Sequence, residues 1–477
     1  MPKKPKAPTV SLFLLVMMNV AAICSIKNWP LTAEYGLTSL FYLMVASLCF
    51  FLPASLVSAE LATGWPKHGG VYVWVTKAFG HRLGFLAVWL LWIENVVWYP
   101  TTLSFVASTI AFMIRPDLIA HPLYMFLMVL GIFWLSTLIV LTGIKMSSWV
   151  SSIGVILGLI IPGALIIVLG CFWVWRGHPL QITFSWNTFL PRGINPYQLS
   201  IFAGILLSFA GIEMTSVHAS FVKDPQKNYP RAIFLSALFI LLFSTLGTLA
   251  IAIVIPSKEI SLVSGGLDAI THFLTLFQCE WGVPIIAGLI VLGVIGAINA
   301  WAAGPSQGLL AVAKGGDLPP CLRTTNRSNM PTGILIAQGI IVSLLSTIFL
   351  LMPSINGSFW ILLTLASQLY LLMYILLFLS AIVLRYRAKD KYRAYRIPGG
   401  KYGMWLVSGI GILSSLFAMI MGFFPPEQIE IGGMLFYELF LSTGIIFSCA
   451  APFVISLFKQ PSWTHSPPLE ASPDAKL

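Results

Sequence analysis

Two interruptions in long apolar stretches hold the residues whose chemistry stands out. The first, at 25–30, places the cation Lys27, an asparagine and Pro30 inside an apolar run, and the second, at 209–214, places a glycine and the carboxylate Glu213 in the middle of another. Backbone groups freed by a helix break inside a membrane are tolerated where they line a cavity or are buried in protein. Freed N–H groups suit a carboxylate and freed carbonyls suit an ammonium group, so the paired breaks predict a binding site for an α-amino acid.

Lys27 is the most unusual residue of the chain, because a charged side chain at membrane depth is costly and marks a functional site by default. We expect it to contact the substrate or to replace a coupling cation. The alternative is an ion pair with Glu34, Glu94 or Glu213 that only holds helices together. Glu213 would either exchange protons or pair permanently with Lys27, and Glu94 would either contact a substrate ammonium or make a helix–helix hydrogen bond.

Aromatic and amide side chains in later runs are further candidates. Trp301, close to Asn299, would stack on the substrate or close a gate, or else pack near the membrane interface. Tyr370 and Tyr374 lie one helical turn apart and would form either an outer gate or part of the core. The candidate substrate contacts are Ser25, Ile26, Lys27, Asn28, Glu94, Ala210, Gly211, Ile212, Glu213, Asn299 and Trp301. The candidates for gating or coupling are Lys27, Glu213, Trp301, Tyr370 and Tyr374.

The composition indicates where these residues lie. The 477 residues are 58% hydrophobic and only 9% charged, and the mean hydropathy is +0.90. Soluble domains are nearer a quarter charged, so the composition excludes a cytosolic enzyme, a disordered chain and a secreted scaffold. The 6 cysteines show no metal-ligand or disulfide spacing, so we expect neither a metal nor another cofactor.

A spanning helix needs about 20 mostly apolar residues. The sequence offers twelve such runs, and it therefore predicts an all-α membrane protein with twelve transmembrane helices. The predicted spans are 10–30, 37–60, 83–114, 121–143, 149–175, 196–218, 230–255, 280–313, 332–352, 358–384, 403–424 and 434–458.

Lysines and arginines orient these spans, because cytoplasmic loops carry their excess. With the N-terminus inside, only Arg115, Arg176, Arg192 and Lys258 fall in outside segments, whereas the basic run 385–401 falls inside. We therefore expect both termini in the cytoplasm. The net charge of +11 reflects this topology, and we expect membrane lipid at the basic run rather than a nucleic acid as its partner.

The two breaks fall in the first and sixth spans, which divides the chain into two five-helix units. An odd-numbered unit followed by its copy inserts with the opposite orientation, so we expect an inverted repeat. The predicted organisation is a cytoplasmic N-terminus at 1–9, one transmembrane domain at 10–458 and a cytoplasmic tail at 459–477; within the domain, the repeats are 10–175 and 196–384, followed by two helices at 403–458.

Several motifs resemble those of one family, the amino acid–polyamine–organocation (APC) superfamily, and within it the bacterial glutamate/γ-aminobutyrate antiporters. The similarity extends from the first span to the twelfth. The motifs that carry it are AELATGWPKHGGVYVWV at 59–75, AGIE at 210–213, KDPQKNYPRA at 223–232, WAAGPSQG at 301–308 and RAYRIPGG at 393–400.

The resemblance implies a LeuT-like fold of ten core helices plus two, in a bacterial inner membrane, and sodium-independent amino-acid exchange. The sequence departs from the family at three points. The first break lacks the G-S-G type of many members, Lys27 stands where glutamate/γ-aminobutyrate members have an aromatic residue, and Ala297 stands where they have an acid. The last two departures each make the site more positive by one charge and favour a neutral or anionic substrate.

The expected function is a secondary amino-acid antiporter of the glutamate/γ-aminobutyrate type that works by alternating access. Proton-coupled amino-acid uptake on the same fold is an alternative, and a sensor that binds without transport is a weaker one. Amino acids, membrane lipid and protons are the expected partners. No motif of an intramembrane enzyme is present in the sequence, so we do not expect an enzyme.

Overall fold

The computed structural model describes residues 11–66, 69–191, 196–216, 222, 224–256, 265–352, 354–425 and 433–463. Throughout these ranges the regular elements are helices, so the predicted all-α class is confirmed. The predicted N-terminus at 1–9 and residues 464–477 of the predicted tail lie outside the described residues.

Among the described residues, ten helices are long and apolar enough to cross a membrane. In chain order, with the short helices between them, the elements are α1 (Leu12–Ile23), α2 (Asn28–Ala33), α3 (Thr38–Gly64), α4 (Val71–Phe79), α5 (His81–Ile114), α6 (Pro122–Thr142), α7 (Trp149–Trp175), α8 (Trp186–Phe189), α9 (Pro196–Leu207), α10 (Gln226–Val254), α11 (Gly265–Leu276), α12 (Glu280–Lys314), α13 (Thr332–Leu351), α14 (Ile355–Arg387), α15 (Gly400–Met421) and α16 (Met434–Leu457).

The long helices coincide with ten of the twelve predicted spans, and the other two predicted spans are the interrupted ones. In the first of these, α1 ends at Ile23 and α2 begins at Asn28. In the second, α9 ends at Leu207 and irregular backbone follows. Gly211 in this backbone has a φ of +121°, which L side chains rarely adopt, and a Cβ atom there would lie 3.2 Å from Ile23. The two breaks therefore meet each other in space.

Small residues bring α7 and α12 into close backbone contact. A Cβ atom on Gly158 would lie only 2.3 Å from the Cα of Gly293, and one on Gly296 would lie 3.0 Å from the Cα of Gly154. Ser151 seals the same interface by donating a hydrogen bond of 2.8 Å to the carbonyl of Gly296. Such small-residue contacts are a common way for membrane helices to associate. These contacts hold α12, the helix that carries Trp301, against α7.

A buried ionic cluster joins α3, α14 and the connection after α14. The carboxylate of Glu60 lies 2.5 Å from the Arg385 guanidinium and 3.2 Å from that of Arg393, and it accepts a 2.8 Å hydrogen bond from the backbone N–H of Ile397. Burial lowers the pKa of Arg393, while the neighbouring Glu60 acts in the opposite direction. The Arg393 guanidinium also lies 5.1 Å from the ring centre of Trp65. The AELATGW and RAYRIPGG motifs therefore form one structural unit at the same end of the bundle.

Candidate functional site

A cavity of about 450 Å³ lies where the two helix breaks meet. Its walls come from the two broken helices and from α5, α7, α12 and α14. Of the predicted site residues, those that line it are Ser25, Ile26, Lys27, Asn28, Glu94, Ala210, Trp301 and Tyr370. The predicted residues that lie behind the walls are Gly211, Ile212, Glu213, Asn299 and Tyr374.

Lys27 extends its ammonium group towards α5. Its Nζ donates a 3.0 Å hydrogen bond to the Thr102 hydroxyl and lies 5.2 Å from the ring centre of Trp98, within the range of a cation–π contact. Within the described part of the chain, Lys27 forms no ion pair with Glu34, Glu94 or any other carboxylate. A hydroxyl and an aromatic face stabilise the cation without neutralising it. The ammonium group therefore reaches the cavity without a directly paired carboxylate among the described residues.

Glu94 contributes the negative charge of the cavity. One carboxylate oxygen accepts a 2.5 Å hydrogen bond from the side-chain amide of Asn95, which also donates to the carbonyl of Leu91. Glu94, Trp98 and Thr102 are spaced by four residues and share one face of α5. From the helix rise, the Cα atoms of Glu94 and Thr102 are about 12 Å apart. The cation held at Thr102 and the carboxylate of Glu94 thus face the cavity at different levels of the same helix.

Glu213 is fully buried and is held by tyrosine hydroxyls rather than by a cation. Tyr370 donates a 2.6 Å hydrogen bond to one carboxylate oxygen, and Tyr374 donates to the other. The Tyr374 hydroxyl in turn accepts a 2.7 Å hydrogen bond from the N–H of Gly211. Helix α14 therefore holds the unwound segment through three hydrogen bonds. Since Tyr370 also lines the cavity, it connects the cavity to the carboxylate behind it.

Aromatic rings form a continuous row along this side of the cavity. The ring centre of Trp301 lies 6.1 Å from that of Trp98 and 6.2 Å from that of Tyr370, and the latter pair is edge-on. Tyr370 and Tyr374 continue the row with centres 5.0 Å apart. The row joins α5, α12 and α14, and it places the predicted stacking residue Trp301 between the rings nearest to Lys27 and Glu213.

The side-chain amide of Asn299 points away from the cavity. Its Nδ2 donates to the carbonyl of Ile295 on its own helix at 2.9 Å, and its backbone carbonyl accepts from Ser147 at 3.3 Å. Asn299 is fully buried between α12 and the helix that leads into α7. The residue supports the wall of the site instead of facing the cavity.

Several polar cavity residues, and a hydrogen-bond network around Asn19 behind the cavity, were not predicted from the sequence. Trp98 and Thr102 were recognisable in principle, because they repeat the four-residue spacing that begins at Glu94. The hydrogen-bond network around Asn19 had no such signal, because Asn19 lies 196 and 217 positions away from its partners Thr215 and Ser236 in the chain. The cavity residues that were missed include Thr32, Asn95, Trp98, Thr102, Ser367 and Gln368.

That network ties the two broken helices to α10. Asn19 of α1 accepts a 2.7 Å hydrogen bond from Thr215, just beyond the second break, and donates a 3.0 Å bond to Ser236 of α10. The hydroxyls of Thr215 and Tyr229 are 3.3 Å apart. All four side chains are buried. Both breaks are thus linked to one neighbouring helix by polar contacts that do not involve the cavity.

Comparison with known proteins places this arrangement in a family. The family described as amino acid permease matches residues 9–447. The chain therefore belongs to the amino acid permeases of the APC superfamily, which confirms the resemblance seen in the sequence motifs. It is a multi-pass membrane protein of a transporter family.

Three relatives show how far the similarity extends. An uncharacterized transporter of Legionella pneumophila is 43% identical, with 94% of this chain and 96% of that protein covered. A glutamate/gamma-aminobutyrate antiporter of Lactococcus lactis is 30% identical, covering 94% of this chain and 90% of that protein. A probable agmatine/putrescine antiporter of the same species is 26% identical over 86% of this chain and 88% of that protein. These relatives are transporters, and none of their names denotes an enzyme.

Proposed function

We propose that this protein is a secondary amino-acid antiporter that works by alternating access. The observation that carries the proposal is the cavity between the two helix breaks, which holds the ammonium group of Lys27 and, at another level, the carboxylate of Glu94, with no ion pair between these two described side chains. A zwitterionic substrate matches these two charges. The similarity to a glutamate/gamma-aminobutyrate antiporter supports exchange rather than one-way uptake.

We further propose that the chain crosses the membrane twelve times. The interrupted spans at 10–30 and 196–218 would each cross once, in addition to the ten long helices. The first five crossings, 10–175, would then form an inverted repeat with the next five, 196–384, followed by two helices at 403–458. The excess of lysine and arginine at one end supports cytoplasmic termini in a bacterial inner membrane.

The residues of the cavity would divide the recognition of the substrate between them. The freed N–H groups and Lys27 attract carboxylate, whereas Glu94 and freed carbonyls attract the ammonium group. Trp301 and Tyr370 would cover the bound molecule, since their rings line the cavity. The extra positive charge of Lys27 favours neutral or anionic amino acids over arginine and lysine.

Alternating access would be a movement of the broken helices with α10 against the remaining helices. The hydrogen bonds that Asn19 accepts from Thr215 and donates to Ser236 support this division, because they link both breaks to α10. The bonds from Tyr370 and Tyr374 to Glu213 cross the boundary between the moving and the stationary parts. Glu213 would therefore be the coupling residue, with its protonation altering these two bonds.

Counterflow in proteoliposomes tests the proposal. Vesicles are preloaded with one amino acid at a time, and entry of labelled glutamate, glutamine, γ-aminobutyrate or arginine is followed at neutral and mildly acidic pH. An antiporter moves label only when a substrate is present on both sides. Accumulation into empty vesicles under a proton gradient would instead establish proton-coupled uptake. Binding of label without entry under any preload would show a sensor and contradict both forms of transport.

A further inference from the structure

The end of α14, the connection that follows it and the start of α15 together carry a basic, aromatic surface. This surface is separate from the proposed transport site. We define the basic–aromatic patch as Tyr386, Lys389, Lys391, Lys401, Tyr402 and Trp405. All six side chains are exposed, Tyr402 by 89% and Trp405 by 52%. One acid, Asp390, lies within this stretch of sequence, so the patch has a net positive charge.

Three arginines hold the backbone beneath the patch, through hydrogen bonds to its carbonyl groups and an ion pair with Glu60. Arg385 donates hydrogen bonds to the carbonyls of Ile397 and Gly400 at 2.8 and 3.1 Å. Arg393 is anchored on Glu60, and Arg396 donates a 3.0 Å bond to the carbonyl of Lys391. The arginines therefore shape the loop, whereas Lys389, Lys391 and Lys401 form no ion pair with any described residue.

The patch continues directly into an apolar helix surface. The Lys401 ammonium lies 4.8 Å from the ring centre of Tyr386, whose hydroxyl accepts a 3.0 Å hydrogen bond from the Trp405 indole. Further along α15, Leu406, Leu413 and Ile420 are exposed by 65%, 68% and 59% and are spaced by seven residues. Seven residues are two helical turns, so these side chains form one stripe along the outside of the helix.

We propose that the basic–aromatic patch binds the anionic headgroup of a phospholipid, with an acyl chain lying along Leu406 and Leu413, the part of the stripe nearest to the patch. Lysines at a membrane surface attract anionic headgroups, and tyrosine and tryptophan favour the same level of the bilayer. The stripe distinguishes a lipid from a soluble anion, because only a lipid brings a hydrocarbon chain beside its phosphate. The site is independent of the proposed transport function.

Native mass spectrometry of the full-length protein in detergent tests the proposal. The protein is titrated with dioleoyl phosphatidylglycerol or with the zwitterionic dioleoyl phosphatidylcholine, and retained lipids are counted. The test variant is Lys389→Gln/Lys391→Gln/Lys401→Gln. The control, Lys227→Gln/Lys314→Gln/Arg327→Gln, removes three exposed positive charges elsewhere. We expect the test variant to bind phosphatidylglycerol about tenfold more weakly than the control, and phosphatidylcholine binding to be unchanged in both.

A second variant separates the contribution of the aromatic side chains from that of the lysine charges. A competition experiment distinguishes a lipid from a soluble anion. Tyr402→Ala/Trp405→Ala removes the aromatic surface without altering charge, and we expect it also to weaken retention of phosphatidylglycerol. Equal losses in the test and control triple variants would overturn the proposal, since attraction would then depend on net charge alone. Displacement of the lipid by an equal concentration of inorganic phosphate would also overturn it. Counterflow in phosphatidylcholine vesicles should be the same for the test variant and the wild type.

Discussion

Two buried carboxylates at different depths of the bundle show two ways of holding a charge. Glu60, at the end of α3, lies between the guanidinium groups of Arg385 and Arg393. Glu213, at the second helix break, accepts hydrogen bonds from the hydroxyls of Tyr370 and Tyr374. Both have their hydrogen-bonding capacity satisfied, but only Glu60 has its charge neutralised by protein.

From this difference we infer a structural role for Glu60 and propose a functional role for Glu213. Removing one member of a buried ion pair leaves an uncompensated charge and is strongly destabilising. A carboxylate held by hydroxyls can gain or lose a proton while its neighbours remain neutral. Glu60 is therefore suited to fastening α3 to α14, and Glu213 is suited to changing state during transport.

The largest expected effect is on stability, from Glu60→Gln. The substitution leaves Arg385 and Arg393 without their buried anion, and we expect a loss of about 3–5 kcal/mol in the free energy of unfolding. Thermal unfolding and the monodisperse fraction on size-exclusion chromatography in detergent measure it. Glu280→Gln, at an exposed position, is the control and should unfold as the wild type does. A Glu60→Gln protein as stable as this control would remove the structural side of the comparison.

Glu213→Gln tests the functional side. The glutamine side chain is nearly the same size and still accepts a hydroxyl hydrogen bond through its oxygen, so the protein should fold and retain most of its stability. We expect counterflow to fall by at least about tenfold, equivalent to about 1.4 kcal/mol, because the residue can no longer change its charge. The pH dependence of the remaining counterflow should also flatten. Wild-type exchange in Glu213→Gln would show that this carboxylate, like Glu60, has a purely structural role.

Lys27 is a half-buried charge of the cavity wall, and it resembles Glu213 in having uncharged partners within the described part of the chain. We expect Lys27→Met to reduce counterflow of glutamate about tenfold more than that of glutamine, since a cation without a directly paired carboxylate contributes most to an anionic substrate. Thr102→Val is the matched control, because it removes the hydroxyl that Lys27 contacts and keeps the ammonium group. Equal losses for the two substrates would show that Lys27 serves coupling or structure instead of recognising substrate charge.

The sequence predicted which segments form long membrane helices and where two of them are interrupted. It did not predict which side chains contact each other between helices. The apolar runs located the long helices, and Lys27 and Gly211 marked the two places where helices are broken. A hydropathy pattern does not specify which helices are neighbours or how each is rotated about its axis. Glu60 and Arg393 are separated by more than three hundred residues, so the ionic cluster was not foreseeable. The rotation of the second broken helix was not foreseeable either. Glu213 was expected in the substrate site, whereas in the structure it lies behind Tyr370.

The smallest and most specific test compares the two tyrosines that hold Glu213. Tyr370→Phe and Tyr374→Phe each remove one hydroxyl from the carboxylate, but only the Tyr374 hydroxyl also accepts from the N–H of Gly211. A buried N–H without a partner costs about 1–3 kcal/mol, against about 1 kcal/mol for a typical lost hydrogen bond. We therefore expect Tyr374→Phe to unfold at lower temperature than Tyr370→Phe.

Counterflow should also distinguish the two variants, because each is expected to change a different kinetic parameter. Tyr370 lines the cavity as well as holding Glu213, so its substitution should raise the substrate concentration needed for half-maximal exchange. Tyr374→Phe should instead change the maximal rate, because the unwound segment loses its attachment to α14 while the cavity wall stays intact. Identical effects of the two substitutions on stability and on exchange would mean that the hydroxyls act only as neutral hydrogen-bond donors to Glu213. The attachment of Gly211 to α14 would then contribute nothing to the movement of the second broken helix.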